Sequence, residues 1–276
     1  DDDTLRLTDT SDIEIHSQLI HTDVQPPPAQ PVRILILGWN QNGFTMMREL
    51  DHYVTRGSEL RVVADISEAA AEGIRVQAAG LQNLQLVVMQ GDATDRGLLD
   101  ALRVDDYDHV IVLAYVERGV QQADAMTLVT LLHLRDIFHH DQTPFSIVSE
   151  MLVLRNRELA QVTRVDDFIV SEQLISLMMA QFAENADLYA VFEDIFDPEG
   201  AEIYLKPVEL YVEKGRPVNF YTVVEAARRR GETAIGYRMR ADANYPAKAY
   251  GVRTNPPKSE SVIFGDGDKI IVLAES

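Results

Sequence analysis

The chain has 276 residues, enough for one large domain or two small ones, and a net charge of −19 from 44 acidic and 25 basic residues. Such a negative field repels a polyanion, which argues against nucleic-acid binding. The absence of cysteine excludes disulfides, thiol chemistry and zinc–thiolate sites, and no apolar run approaches the ~18 residues of a membrane span.

Residues 1–31 are predicted to be a linker. They begin with three aspartates and end in the proline-rich run Pro26–Pro31, which is typical of a stiff, extended spacer. The alternation of Ile13, Ile15 and Leu19 would allow this segment to dock as an edge strand on a neighbouring domain. Because the chain begins with Asp1 and shows no signal peptide, we expect it to be a fragment of a longer protein.

The run from Arg33 to Asp65 has the order of a dinucleotide-binding βαβ unit. In such a unit, N–H groups at the helix start hold phosphate and the acid after the second strand holds a ribose. Asn40 stands where a glycine normally lets the pyrophosphate approach the backbone, and its side chain obstructs that approach. The parts of the unit are the strand Arg33–Leu37, the turn Gly38–Gly43, the helix Phe44–Tyr53 and the strand Leu60–Asp65.

Residues 32–171 alternate apolar strands with helices throughout. Strands that lack polar alternation and are separated by helices predict a Rossmann-like α/β lobe, a parallel sheet with helices on both faces. Its further predicted elements are the helix Glu68–Ala79, the strand Leu84–Val88, the helix Arg96–Leu102, the strand His109–Tyr115, the helix Gln121–Phe138, the strand Phe145–Glu150, the helix Arg155–Thr163 and the strand Asp167–Val170.

Residues 172–199 are predicted to form two crossover helices, and residues 200–276 a smaller C-terminal α+β lobe. The crossover helices carry more apolar residues than a surface pair needs, so they form either a simple core or a core shared with a partner. In the C-terminal lobe the pattern predicts the strands Ile203–Leu205 and Glu209–Val212, the helix Val223–Arg230 and a hairpin over Ile263–Ala274 that turns at Gly265–Asp268.

This pattern resembles the RCK family, the cytoplasmic regulators of potassium conductance. The matching residues are the glycine turn with Asp65, the turn Gly91–Thr94, the strand Pro144–Glu150 and the passage Asp167–Leu174. The chain is most similar to the second, C-terminal RCK domain of CASTOR/POLLUX-type ion channels. That similarity is carried by Val191–Glu202, Phe220–Glu232, Ile235–Arg238 and Asn255–Lys258.

The resemblance implies a membrane cation or potassium channel whose pore domain lies on the same polypeptide. It places this chain at the cytoplasmic face of the membrane, as a ligand-sensing part of the channel. It also implies self-association through the crossover helices 172–199 into dimers, and a tetrameric gating ring built with a tandem RCK domain.

The predicted cofactor-binding residues are Gly38, Asn40, Gly43, Asp65 and Asp92, for NAD(H) or another adenine nucleotide. Asp92 follows the strand next to the one that ends at Asp65, at the same edge of the sheet. The alternative is a glycine turn that serves packing beside an empty cleft, with Asp92 as a helix cap.

Asp65, Asp92 and Glu117 are the predicted metal ligands. Asp65 ends a predicted strand, and Asp92 and Glu117 follow the carboxyl ends of two others, so their loops would converge on one rim. Calcium takes 6–8 oxygen ligands, and calcium-gated RCK relatives use acids in this region. The alternative is that these acids are solvated caps and turns.

Motifs for catalysis are absent: there is no Gly-x-Ser-x-Gly elbow, no His-Glu-x-x-His and no phosphate loop with its lysine. We therefore predict a regulatory gating-ring domain and not an enzyme. Two alternatives stay open, an NAD-binding oxidoreductase-like protein and a structural ring subunit that binds no ligand.

Overall fold

The computed structural model describes residues 14–138, 146–153, 167–197, 200–243 and 245–275. The chain divides into two compact units. One is Ala29–Tyr189, and the other combines Asp1–Pro28 with Ala190–Ser276. The predicted helix Arg155–Thr163 lies outside the described residues.

The first unit contains a six-stranded sheet in the order β3-β2-β1-β4-β5-β6, and every pair of neighbouring strands is parallel. This confirms the predicted Rossmann-like fold. The strands are β1 Arg33–Leu37, β2 Ser58–Ala64, β3 Leu84–Gln90, β4 His109–Val112, β5 Ser146–Met151 and β6 Asp167–Val170.

Helices cover both faces of this sheet because its central strands are apolar on both sides. In β1, Ile34 and Ile36 pack with the helices α1 and α2, whereas Leu35 and Leu37 pack with α3 and α4. The helices of this unit are α1 Asn42–Tyr53, α2 Glu68–Gln77, α3 Arg96–Leu102, α4 Val120–Phe138 and α5 Ser171–Glu184. α6, Leu188–Phe196, spans the boundary between the units.

The second unit holds the C-terminal α+β lobe, as predicted. An antiparallel sheet in the order β10-β9-β12-β7 packs on the helix α7, and β8 pairs with β11 in a separate ribbon. The elements are β7 Glu202–Pro207, β8 Pro217–Asn219, α7 Phe220–Arg229, β9 Thr233–Arg238, β10 Val252–Thr254, β11 Ser261–Ile263 and β12 Lys269–Ala274.

Two predictions for this lobe are wrong. The expected strand Glu209–Val212 is instead a 3₁₀ turn over Val208–Leu210, and its apolar residues are buried by the turn. The expected terminal hairpin does not form, because β11 and β12 belong to different sheets. The helix predicted from Val223 begins at Phe220, where the Asn219 side chain accepts a hydrogen bond from the Thr222 N–H.

Part of the predicted linker packs on this lobe, in a stretch that we call the strap, residues 14–24. Leu19 is 5% exposed and belongs to the core of the lobe, and Ile20 forms an antiparallel bridge with Val212. The Arg230 side chain donates to the Val24 carbonyl over 3.0 Å. Among the residues that the structure describes, no helix is long and apolar enough to cross a membrane.

Candidate ligand-binding crevice

The crevice opens at the carboxyl ends of β1 and β4. These strands are neighbours, but the chain leaves β1 toward β2 and leaves β4 toward β5, on opposite sides of the sheet. Such a switch point creates a cleft between the loops that follow the two strands, and it is where Rossmann-like proteins bind ligands. The loop after β1 contains Gly38 and Asn40, and the loop after β4 contains Ala114 and Tyr115.

Gly38 and Gly43 are both required by packing within the chain. Gly38 has φ +84°, and a Cβ there would lie 2.2 Å from the Leu113 carbonyl oxygen. A Cβ on Gly43 would lie 2.8 Å from the indole ring of Trp39. The glycine spacing of this turn therefore has a structural reason that needs no nucleotide.

Asn40 bridges the two sides of the crevice. Its Nδ2 donates to the Ala114 carbonyl over 2.8 Å and to Glu150 Oε2 over 2.7 Å. Its Oδ1 accepts from the Asn42 N–H over 2.9 Å. The side chain thus does more than obstruct the glycine position, because it ties the loop after β1 to β4 and β5.

Glu150 is one of the residues at this crevice that sequence reasoning missed. It lies near the end of β5, is 9% exposed, and also accepts from Asn42 Nδ2 over 3.1 Å and from the Ala114 N–H over 3.2 Å. The rule that selected Asp65, Asp92 and Glu117, an acid at the carboxyl end of a predicted strand, would have selected Glu150 too.

The first N–H groups of α1 have acceptors within the chain. The Asn42 N–H donates to Asn40 Oδ1, the Gly43 N–H to the Asn40 carbonyl over 3.0 Å, and the Phe44 N–H to the Gln41 carbonyl over 3.4 Å. In a dinucleotide site these donors point at phosphate. Here the loop itself satisfies them.

Asp65 pairs with Arg118 at the side of the crevice. The Arg118 guanidinium hydrogen-bonds to the Asp65 carboxylate and lies over the ring of Tyr115, 5.1 Å from its centroid. The bond to Asp65 raises the pKa of Arg118. The Asp65 N–H donates to Tyr115 Oη over 3.0 Å, and burial raises the pKa of that phenol.

Asp92 and Glu117 have different surroundings. Asp92 Oδ1 accepts from the N–H and hydroxyl of Thr94, over 2.9 and 2.7 Å, which makes it a turn residue. Asp95 caps α3 by accepting from the Gly97 N–H. Glu117 lies exposed in the 3₁₀ turn Val116–Arg118.

The structure does not bring Asp65, Asp92 and Glu117 together as a metal-binding group. Throughout the described part of the chain, no cluster of three or more histidine, aspartate or glutamate side chains is arranged to hold a metal ion. Both the calcium site and the nucleotide site stay predictions.

The parallel sheet with its switch-point crevice and the added α+β lobe define a Rossmann-type domain of two lobes. Its first lobe matches the TrkA-N domain family over residues 34–170. The chain is also 31% identical over 258 residues to the ion channel CASTOR of Lotus japonicus and 30% identical over 250 residues to the ion channel DMI1 of Medicago truncatula. It therefore contains a TrkA-N (RCK) domain and is related to the CASTOR, POLLUX and DMI1 ion channels.

The alignments with these relatives cover most of this chain but a small part of theirs. They span 80% of this chain and 30% of CASTOR, and 78% of this chain and 28% of DMI1. Among solved structures, the GsuK RCK domain is 16% identical, with a TM-score of 0.42 over 89% of this chain and 44% of that one. The relationship to the channels rests on the sequence relatives.

Proposed function

We propose that this chain is a ligand-sensing regulatory domain of a CASTOR/POLLUX-like cation channel. The channel would conduct potassium, and this domain would lie at the cytoplasmic face of the membrane. The pore would lie on the same polypeptide. Residues 32–171 would hold the ligand, residues 172–199 would join subunits and residues 200–276 would complete the ring contacts. The chain would not act as an enzyme.

The observation that carries this proposal is the exposed apolar surface of α5 and α6. Large apolar side chains on a soluble surface normally mark an interface. Seven of them lie on these two helices and are 49–65% exposed, namely Leu174, Ile175, Leu177, Met179, Tyr189, Val191 and Phe196. A second copy of the chain would bury them, which supports self-association through the crossover helices into dimers and then a tetrameric ring with a tandem RCK domain.

Regulation then follows from differential affinity. A ligand at the crevice changes the pore only if it binds one arrangement of the ring more tightly than the other. The two ligand classes that the sequence predicts are calcium and an adenine nucleotide. Calcium would be held by Asp65, Asp92 and Glu117, whose loops would have to move together when the ion binds. NAD(H) or another adenine nucleotide would be held at Gly38, Asn40, Gly43, Asp65 and Asp92.

Sedimentation velocity tests the assembly step. We expect the wild-type chain to self-associate and the variant Leu177→Asp to be monomeric at the same concentration, because the charge would be buried at the interface. Val76→Asp is the matched control, since Val76 is also an exposed apolar residue, 64% accessible, but lies on α2. Equal association of both variants would contradict the role of the crossover helices.

Two measurements test the ligand step. Calorimetric titration of the metal-stripped chain with calcium is expected to give saturable heat that Asp65→Ala, Asp92→Ala and Glu117→Ala each reduce. In the full-length channel, Asp65→Ala is expected to change the calcium dependence of the current without abolishing the current. Loss of all current together with loss of folding would mean that Asp65 only stabilises the lobe.

A structural ring subunit without a ligand is the second candidate, favoured by the internally satisfied first turn of α1. It predicts assembly through α5 and α6 as above. It differs in predicting no saturable heat when the chain is titrated with calcium or with a nucleotide. It also predicts that Asp65→Ala leaves gating unchanged.

A further inference from the structure

We infer that Glu150 determines the ligand specificity of the crevice, because its carboxylate occupies the place of a phosphate at the start of α1 and thereby excludes dinucleotides and other phosphate-bearing ligands. This inference rests on the proposed function in one respect, namely that the crevice is the ligand site. It deepens that function by stating which class of ligand the site rejects.

The first support is the set of donors that Glu150 uses. A phosphate at a Rossmann switch point is held by backbone and side-chain N–H groups of the loops after the first and fourth strands. Glu150 takes donors from both loops, the side-chain amides of Asn40 and Asn42 and the Ala114 N–H, over 2.7 to 3.2 Å. A phosphate at this place would find these donors engaged.

The charges at the start of α1 also oppose the binding of a phosphate. α1 has twelve residues, and the partial positive charge at its start favours one nearby anion. Glu150 supplies that anion at 9% exposure, where water screens it poorly. A phosphate would bring a second negative charge beside this carboxylate, and two like charges at close range repel each other.

The third support is the way in which Asn40 holds this carboxylate. The Asn40 Nδ2 lies between Glu150 Oε2 and the Ala114 carbonyl, and its Oδ1 accepts the first N–H of α1. Asn40 and Glu150 therefore act as a pair that closes the phosphate position. The ligand that such a crevice accepts brings no phosphate to α1, which leaves metal cations and neutral or cationic small molecules.

The experiment is calorimetric titration of NAD and of ADP into the intact chain and three variants. Glu150→Gln removes the charge and keeps the network, because Oε1 still accepts from Asn40 and Ala114 while Nε2 donates to a flipped Asn42 amide. The double variant Asn40→Gly/Glu150→Ala removes both side chains and thereby frees the Asn42 side-chain amide and the N–H groups of Asn42 and Ala114. Glu72→Gln is the control, an exposed glutamate on α2.

We expect no saturable heat for the wild-type chain or the control, weak binding for Glu150→Gln, and an affinity at least about tenfold higher for the double variant than for the wild type. A gain of binding cannot result from unfolding, so a stability change does not mimic it. If the double variant fails to fold, Glu150→Gln alone decides.

Two outcomes would overturn the inference. One is saturable binding of NAD or ADP by the wild-type chain with an affinity equal to that of the variants. The other is the absence of a gain in every folded variant. Neither outcome touches the proposed regulatory function, which fails instead if Leu177→Asp leaves self-association intact and no ligand changes the current of the full-length channel.

Discussion

Asp51, near the end of α1, holds the loop that leads into β3. Its carboxylate accepts the N–H groups of Gln82, Asn83 and Leu84 over 2.8 to 2.9 Å, and its side chain is buried. Burial acts to raise its pKa, but the three backbone donors together outweigh burial and leave the pKa below its usual value of 3.8. The carboxylate thus joins α1 to the edge of the parallel sheet.

Replacing Asp51 with alanine is expected to lower the free energy of unfolding by about 2–4 kcal/mol at pH 7, because three N–H groups, including that of the buried Leu84, lose a charged acceptor. The pKa is lower in the folded than in the unfolded state, so this stabilisation is present above pH 3.8 and is lost as the pH falls through the folded value. Urea unfolding of the wild type and of Asp51→Ala at pH 7 and near pH 3 measures this stabilisation.

The exposed residue Asp105, in the turn before β4, supplies the matched control Asp105→Ala. Its substitution is expected to change stability little, since surface changes usually stay within about 0.5 kcal/mol. If the difference in the free energy of unfolding between the wild type and Asp51→Ala stayed constant or widened toward low pH, it would contradict the role of the charged carboxylate.

At the same scale, the crevice was predictable from sequence only where its residues are neighbours in the chain. The glycine turn and Asp65 follow from a local pattern whose spacing is set by the βαβ unit. The partner of Asn40 lies 110 residues away at Glu150, and the partner of Asp65 lies 53 residues away at Arg118. Such pairs depend on which strands become neighbours, so a position at a strand end can mark a residue as a candidate but does not identify its partner.

Among the elements, the strap shows how the N-terminal segment is held by the C-terminal lobe. Its backbone continues the lobe, since the His21 N–H donates to the Tyr211 carbonyl and the Glu213 N–H to the Leu19 carbonyl, both over 2.9 Å. The His16 N–H donates to Thr222 Oγ1 over 3.0 Å. Leu19 fills a place in the core beside these bonds.

Leu19→Ala is expected to destabilise the C-terminal lobe by about 2–4 kcal/mol, the usual cost of removing a buried leucine side chain. Hydrogen exchange read by mass spectrometry measures this separately for each unit. Protection of β9 and β12 should fall, whereas β1 and β2, in the other unit, should be unchanged.

Val24→Ala is the control within the strap, because Val24 is 38% exposed. We expect its exchange pattern to match the wild type. If Leu19→Ala also left β9 and β12 fully protected, the strap would be a passive tether and not part of the core of the lobe.

The elements of the Rossmann lobe were easier to predict than those of the C-terminal lobe, for a physical reason. A parallel strand buried on both faces gives an uninterrupted apolar run such as Ile34–Leu37, which is distinctive. In the C-terminal lobe, β7 exposes Ile203 and Leu205 while it buries Glu202, so its polarity is inverted. The buried 3₁₀ turn Val208–Leu210 mimics a strand in composition, and only tertiary packing separates the two.

For the whole molecule, net charge opposes the assembly that the apolar helices favour. Each chain carries −19, so two subunits repel one another over a distance set by the ionic strength. The Debye length is about 30 Å at 0.01 M and about 10 Å at 0.1 M salt. The free energy gained by burying the apolar side chains on α5 and α6 must exceed the energy of this repulsion. Salt lowers the repulsion energy and so favours association.

We therefore expect self-association to strengthen with salt, with a dissociation constant that falls by about tenfold when NaCl rises from about 0.02 to about 0.3 M. Sedimentation equilibrium measures it, and Leu177→Asp should remain monomeric throughout. Divalent cations also screen charge, so the effects of calcium and magnesium on self-association must be compared at equal ionic strength. Equal effects indicate screening alone. A larger effect of calcium that Asp65→Ala removes indicates a specific calcium site. Association that weakens with salt would show instead that ion pairs, not the apolar helices, dominate the interface.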